Sequence, residues 1–233
     1  MNALVTGASK GIGRAIVFEL AAAGYHLAIC ARGAEELAVL CTELQEKYPD
    51  VEVYARATDC GVMEDLRVFA REAHRQLGEI DVLINNVGIY VPATILDEPD
   101  DTLAQQMQVN VYSAHELSRF FGQKMRAAGK GHIINICSVA SLEPVVAAGS
   151  YSVTKYALLG LTRVLREELK PAGVRVTAIL PGATFTHSWE GTNIATEHFI
   201  QAEDVARCVM TCLELGAGAS IDELVIRPQS SMF

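Results

Sequence analysis

The chain has few aromatic residues, no block of basic residues and no long apolar run, and each shortage removes a class of function. Aromatics make up 6% of the 233 residues, with one tryptophan. The formal net charge is −9, from 28 acidic and 19 basic side chains. An acidic surface of this kind repels nucleic acid and anionic membranes. No uninterrupted apolar stretch reaches the roughly 20 residues that span a bilayer. The six cysteines contain no C-x-x-C pair, and the six histidines no H-E-x-x-H. Cys208 and Cys212 lie four apart on a predicted helix. Small buried apolar residues are the expected role of the cysteines, and no metal is expected. No Gly-, Ser- or Pro-rich linker, internal repeat or low-complexity tract divides the chain. A strand-like run at residues 2–6 leaves no room for a secretory leader, so a soluble, cytoplasmic protein is expected.

Half the residues are hydrophobic, which excludes disorder. Short apolar runs at 2–6, 26–30, 51–55, 80–84, 132–137, 174–180 and 221–226 are rich in Val, Ile, Leu and Ala. Most do not alternate with polar residues, as expected of strands buried on both faces. Amphipathic stretches at about 12–23, 34–47, 62–77, 101–128, 151–170 and 202–215 read as helices. The alternation predicts an α/β fold: one doubly wound Rossmann domain over 1–233, with a seven-stranded parallel sheet and helices on both faces. The least regular segment, about 184–200, follows the sixth strand and is the expected substrate loop.

The first strand enters Thr6-Gly7-Ala8-Ser9-Lys10-Gly11-Ile12-Gly13 and a helix opens at once. Gly7 suits a tight turn, Gly11 close approach to a phosphate and Gly13 helix–strand packing. The N–H groups that open the helix would face a pyrophosphate. Their position on the first strand makes the three glycines more specific than a lone glycine motif. The second strand ends Ile29-Cys30-Ala31-Arg32, without the carboxylate that would accept ribose hydroxyls. Arg32 and Lys10 offer two cations to a 2′-phosphate instead, so NADP(H) is expected over NAD(H). Glu35 and Glu36 are expected on the following helix.

The fifth strand ends at Cys137-Ser138, and Tyr151-Ser152-Val153-Thr154-Lys155 follows thirteen residues later. Tyr151 and Lys155, at i and i+4, share one helix face. Free tyrosine gives up its proton only near pH 10, and an ammonium one turn away favours the phenolate. A helix N-terminus does the same if Tyr151 lies in the first turn. Ser138, at a strand's carboxyl end, can hydrogen-bond a substrate oxygen.

With Asp59 after the third strand, Asn85-Asn86-Val87-Gly88 after the fourth, Asn110 in the long helix and Pro181-Gly182 after the sixth, the whole chain resembles the short-chain dehydrogenase/reductase family. The resemblance implies the following roles. Tyr151 is the general acid in reduction and the base in oxidation. Lys155 favours its ionised form and binds the nicotinamide ribose. Ser138 orients the carbonyl, and Asn110 holds a water that links Lys155 to solvent. Gly7, Ser9, Lys10, Gly11, Ile12 and Gly13 cradle the phosphates. Asp59 and Cys60 contact the adenine, while Asn86, Val87 and Gly88 line the cleft. Pro181, Gly182, Thr184 and Thr186 flank the nicotinamide. Val87 stands where the family usually has alanine. The end, Ile221 to Pro228, is similar to small NADP-dependent reductases and less so to fatty-acid-synthesis reductases.

The substrate pocket is expected from Tyr90, Val139, Ser141, Val145, Phe185 and Trp189, mostly apolar walls that suit a small ketone or aldehyde. His187 is expected to be a surface histidine. Val111, Leu117, Phe120, Phe121, Leu158, Leu161 and Leu165 give the helices at 101–128 and 151–170 more than one apolar face. In the family these helices pair between subunits, so a homodimer or homotetramer is expected. The expected activity is an NADPH-dependent carbonyl reductase, or reversible alcohol dehydrogenase. Its alternatives are an NAD-dependent alcohol dehydrogenase and a 3-oxoacyl-carrier-protein reductase of the same family. A non-enzymatic NADP(H) sensor has no need of Ser138, Tyr151 and Lys155 together. A methyltransferase generally wants an acid after the second strand.

Overall fold

The structure is a computed structural model that describes residues 1–186, 189, 191 and 193–229. Seven strands form one parallel sheet: β1 Asn2–Thr6, β2 His26–Ala31, β3 Val53–Ala57, β4 Val82–Asn85, β5 His132–Ile136, β6 Arg175–Pro181 and β7 Glu223–Ile226. Their order is β3-β2-β1-β4-β5-β6-β7. Chain order reverses direction between β1 and β4, and in open α/β sheets that reversal opens a crevice at the strands' carboxyl ends.

Helices α1 Gly11–Ala22, α2 Ala34–Lys47 and α7 Ala202–Glu214 cover one face of the sheet; α3 Met63–Leu77, α5 Ser113–Ala128 and α6 Gly149–Leu169 cover the other. The strand side chains divide between these two cores with period two. In β1, Ala3 and Val5 join Leu20 and Leu40 on the first face, while Leu4 joins Phe69 and Phe121 on the second. In β4, Val82 and Ile84 face one way and Leu83 the other. Both sides are apolar, so the inner strands read as continuous hydrophobic runs. The edge strands β3 and β7 are only half-buried, because each has a neighbour on one side.

The long helix expected at 101–128 is interrupted. Helix α4 Thr102–Met107 passes into a π turn, Gln108–Tyr112, before α5 begins. The π turn carries Asn110 into the interior, 1% exposed. Helix ends agree with the glycines in the sequence: Gly24, Gly78 and Gly173 all take positive φ, at 79°, 76° and 74°.

Candidate active site

The crevice beside the β1–β4 reversal is a cleft of about 410 Å³. Its floor is the glycine loop. Gly7 and Gly11 have φ of +65° and +51°, and a Cβ on Gly13 would stand 2.2 Å from the Gly7 carbonyl oxygen. The loop therefore presents bare backbone that any side chain would fill. Asn86 holds it from β4: its Nδ2 donates to the carbonyls of Thr6, at 2.9 Å, and Gly7, at 3.1 Å. Thr6 Oγ1 returns the tie by accepting the N–H groups of Asn86 and Val87. Lys10 stands at the cap of α1 with no side-chain cap bond, so the opening N–H groups of that helix stay available to an anion.

Of the expected cofactor residues, Gly7, Ser9, Lys10, Gly11, Ile12, Gly13, Arg32, Asp59, Cys60, Asn86, Val87, Gly88 and Thr186 line this cleft. Asp59 is tied by its Oδ1 to the Gly61 N–H at 2.8 Å. Cys60 is buried with its Sγ 3.9 Å from Cys30 Sγ, a contact that with burial pushes the Cys30 thiol up. Pro181 and Gly182 instead extend the pairing with β7, and Thr184 Oγ1 donates back to the Gly182 carbonyl. They hold the start of the 184–200 loop, from which Thr186 reaches the cleft.

Glu36 was not expected at this site. It does lie on α2, yet its side chain lines the cleft and pairs with Lys10 at 3.2 Å. Its own backbone N–H, and then Lys10, hold its carboxyl below the usual range. Thr58 and Val109 also line the cleft without having been singled out, as does Ile89, expected only at the start of a pocket segment running to Val91. Thr58 and Ile89 adjoin residues already implicated, but Val109 is brought in only by the π turn.

The side chains expected to handle the proton gather where β5 ends. Tyr151 is the third residue of α6, in its first turn. Lys155 follows one turn on, 4% exposed; its Nζ donates to the Ile136 carbonyl at 2.9 Å and stands 5.6 Å from the centre of the Tyr151 ring. Ser138 Oγ accepts the Ala140 N–H at 3.1 Å, leaving its hydroxyl proton unspent. Ser141, expected as a pocket wall, is 1% exposed and accepts the Ser138 N–H, so it supports the turn from inside.

Asn110 ties three elements together. Its Oδ1 accepts the Ile89 N–H at 2.7 Å, and its Nδ2 donates to the Ile89 carbonyl and to Thr154 Oγ1, both at 3.0 Å. Thr154 in turn donates to the Tyr151 carbonyl. A Cβ on Gly88 would lie 3.5 Å from Asn110 Oδ1 and 3.7 Å from Lys155 Nζ, so the glycine keeps the space between them open.

Tyr90 meets Tyr151 edge to face, ring centres 5.0 Å apart. Val139 is half-buried and Val145 exposed beside the turn that follows Ser138. Phe185 and Trp189 both pack on Phe199, at 5.7 and 5.0 Å between ring centres. Phe199 went unnoticed because an isolated aromatic in an irregular segment carries no periodicity. His187 lies outside the described residues. Among the described residues, no group of three or more His, Cys, Asp or Glu could hold a metal ion, and no helix is long and apolar enough to cross a membrane.

Comparison with known proteins agrees with this geometry. The uncharacterized oxidoreductase YvaG of Bacillus subtilis is 34% identical over 189 residues, covering 81% of this chain and 70% of that protein. The alcohol dehydrogenase of the archaeon Thermococcus sibiricus, solved with 5-hydroxy-NADP, superposes with a TM-score of 0.91 at 27% identity, over 100% of this chain and 99% of that one. The L-sorbose reductase of Gluconobacter frateurii, solved with NADPH and L-sorbose, gives 0.90 at 28% identity, over 97% and 95%. The family model described as short chain dehydrogenase matches residues 1–196, and the chain belongs to that family of oxidoreductases.

Proposed function

We propose that this oxidoreductase reduces a small ketone or aldehyde with NADPH, reversibly, and that Tyr151 is its general acid and base. The observation that carries the reading is the placement of Tyr151 and Lys155. They sit one turn apart at the start of α6, with Lys155 anchored on the Ile136 carbonyl beneath the tyrosine ring. The bare glycine loop, the uncapped start of α1 and the two cations Lys10 and Arg32 fit a dinucleotide with a 2′-phosphate. Several solved relatives, including the two above, carry NADP or NADPH.

When bound, the reduced nicotinamide supplies a hydride to the carbonyl carbon. The protein's part is the proton. Ser138 donates a hydrogen bond to the carbonyl oxygen and orients it. Tyr151 transfers its phenolic proton to that oxygen as negative charge develops there, and the ammonium of Lys155 stabilises the phenolate left behind. Oxidation of an alcohol runs these transfers in reverse. Asn110 fixes Ile89 and Thr154, and through them the approach of Tyr90 and Tyr151. The apolar character of Tyr90, Val139 and Val145 favours an uncharged substrate. The test is NADPH consumption across a panel of diketones, ketoacyl esters, quinones, steroids, sugars and pterins, with Tyr151→Phe beside the unsubstituted protein. Consumption that is unchanged by that substitution would overturn the reading.

We further propose a single-domain, cytoplasmic protein that pairs with copies of itself through α4 to α6. Val111, Leu117, Phe121 and Leu158, cited for this from the sequence, are buried within the chain itself. The outward apolar side chains of the same helices are different ones: Leu103, Tyr112, Val153, Tyr156 and Val164. Val153, Tyr156, Gly160 and Val164 follow helical spacing along one stripe of α6, and nothing lies within 4 Å of a Cβ placed on Gly160. A single 25.2 kDa species in light scattering would overturn the pairing.

A further inference from the structure

The corner of the cleft at the end of β2 holds three charges: Lys10, Arg32 and Glu36. Arg32 makes no ion pair among the described residues, whereas Lys10 is held by Glu36, both side chains being about half exposed. Glu36 lies folded over Gly33. A Cβ on Gly33 would stand 1.8 Å from Glu36 Oε2. The backbone there, φ −76° and ψ 110°, is open to any residue, so Gly33 contributes space and that space is what the carboxylate occupies.

We propose that Glu36 is the residue that sets the preference between NADPH and NADH, and that it acts against NADPH. The inference rests on reading the cleft as the dinucleotide site. A carboxylate in this corner accepts hydrogen bonds from the ribose hydroxyls of NADH, the role normally played by an acid at the tip of the second strand. Toward the 2′-phosphate of NADPH the same carboxylate is a like charge. It also occupies Lys10, one of the two cations available to that phosphate. Binding NADPH therefore draws Lys10 away from Glu36, and this one side chain holds the enzyme back from full NADPH preference. The single like charge is worth about five- to tenfold at an exposed position.

The test is the dissociation constant of NADPH and of NADH, read by nicotinamide fluorescence on the intact protein at low salt. Glu36→Gln is expected to tighten NADPH about fivefold and weaken NADH about twofold, moving their ratio about tenfold. Gly33→Ala is expected to move the ratio in the same direction, because its methyl displaces the carboxylate while leaving its charge on the chain. Glu35→Gln removes the same charge from an exposed neighbour on α2 and is expected to move the ratio less than about twofold. An unchanged ratio in Glu36→Gln, a shift toward NADH, or an equal shift in Glu35→Gln would each overturn the proposal. If the unsubstituted protein binds neither dinucleotide, the cofactor reading itself has failed, and that is visible before any substitution is made.

Discussion

Strand β5 meets a buried basic side chain at each end, and the two are handled in opposite ways. At its carboxyl end, Lys155 reaches the Ile136 carbonyl with Tyr151 above it and the cleft beyond. At its amino end His132 is 2% exposed, with Nε2 2.8 Å from Thr177 Oγ1 and Nδ1 buried without a partner. Thr177 Oγ1 donates to the Ile221 carbonyl at 2.6 Å, so it has only lone pairs to offer. Nε2 must then carry the ring proton, and Nδ1 is left as a bare acceptor among the described residues. Burial, and after it Arg175, pushes the His132 pKa down to about 3. One end of the strand sets its basic group against a tyrosine ring; the other seals a base in its neutral form. The lesson is that burial alone does not mark a functional base. What separates the two is the neighbour: a tyrosine ring beside Lys155, a threonine already committed to a carbonyl beside His132.

The comparison can be broken most forcefully at the carboxyl end. Tyr151→Phe is expected to lower kcat/KM for carbonyl reduction about a thousandfold, roughly 4 kcal/mol, with the melting temperature nearly unchanged. A fall in melting temperature of comparable weight would make Tyr151 a structural residue instead. Lys155→Met removes a buried cation whose hydrogen bond to Ile136 would be left unmade. It is expected to lower kcat about a hundredfold and also to destabilise the fold by about 1–3 kcal/mol, seen as a lower denaturation midpoint.

The amino end is tested by acid. The folded pKa of His132 lies below the unfolded value near 6.5, so the unfolded chain binds more protons between the two. Its contribution to stability is complete above about pH 6.5 and is lost as pH falls toward 3, at up to about 1.4 kcal/mol per pH unit. Melting curves between pH 7 and pH 5 are expected to fall less steeply in His132→Gln than in the unsubstituted protein, by about 2 kcal/mol over that range. Parallel curves would mean that His132 charges without cost. The smallest effect is expected from Thr177→Val, which strips Nε2 of its acceptor and the Ile221 carbonyl of its donor. About 1–2 kcal/mol of denaturation free energy should be lost, with kcat unaffected because the site lies at the far end of the sheet.

These differences also mark what a sequence can reveal. The strands of β1, β2 and β4 are legible because both faces of the sheet are apolar, and the glycine loop because its φ values and close backbone contacts tolerate little else. Tyr151 and Lys155 are legible because helical spacing alone puts them on one face. Glu36 is not, since nothing in a helix's first turn tells whether a carboxylate points to solvent or folds back over the preceding glycine. Ser141 is misread for a related reason: a serine beside a site can line it or brace it, and only its acceptor bond to the Ser138 N–H decides. His132 carries no signal at all, for a histidine at the start of a strand has no pattern. The outward stripe of α6 is hidden by helix geometry, because a helix with more than one apolar face does not say which residues its own sheet will take.

The π turn at Gln108–Tyr112 has one more consequence. A regular helix advances by 100° per residue, so one surplus residue in the turn rotates everything after it by about that angle. The chain thereby drives two adjoining helical segments as if they were cams on one shaft, set out of phase. Asn110 keeps its bonds to Ile89 and Thr154 while Leu117 and Phe121 of α5 turn into the second core of the sheet. Deleting one residue there would restore a straighter helix and put the shaft back in phase. The surplus residue is thus a timing mark: the helix spends one hydrogen-bonded turn out of register so that its inner face serves the cleft and its outer face stays free.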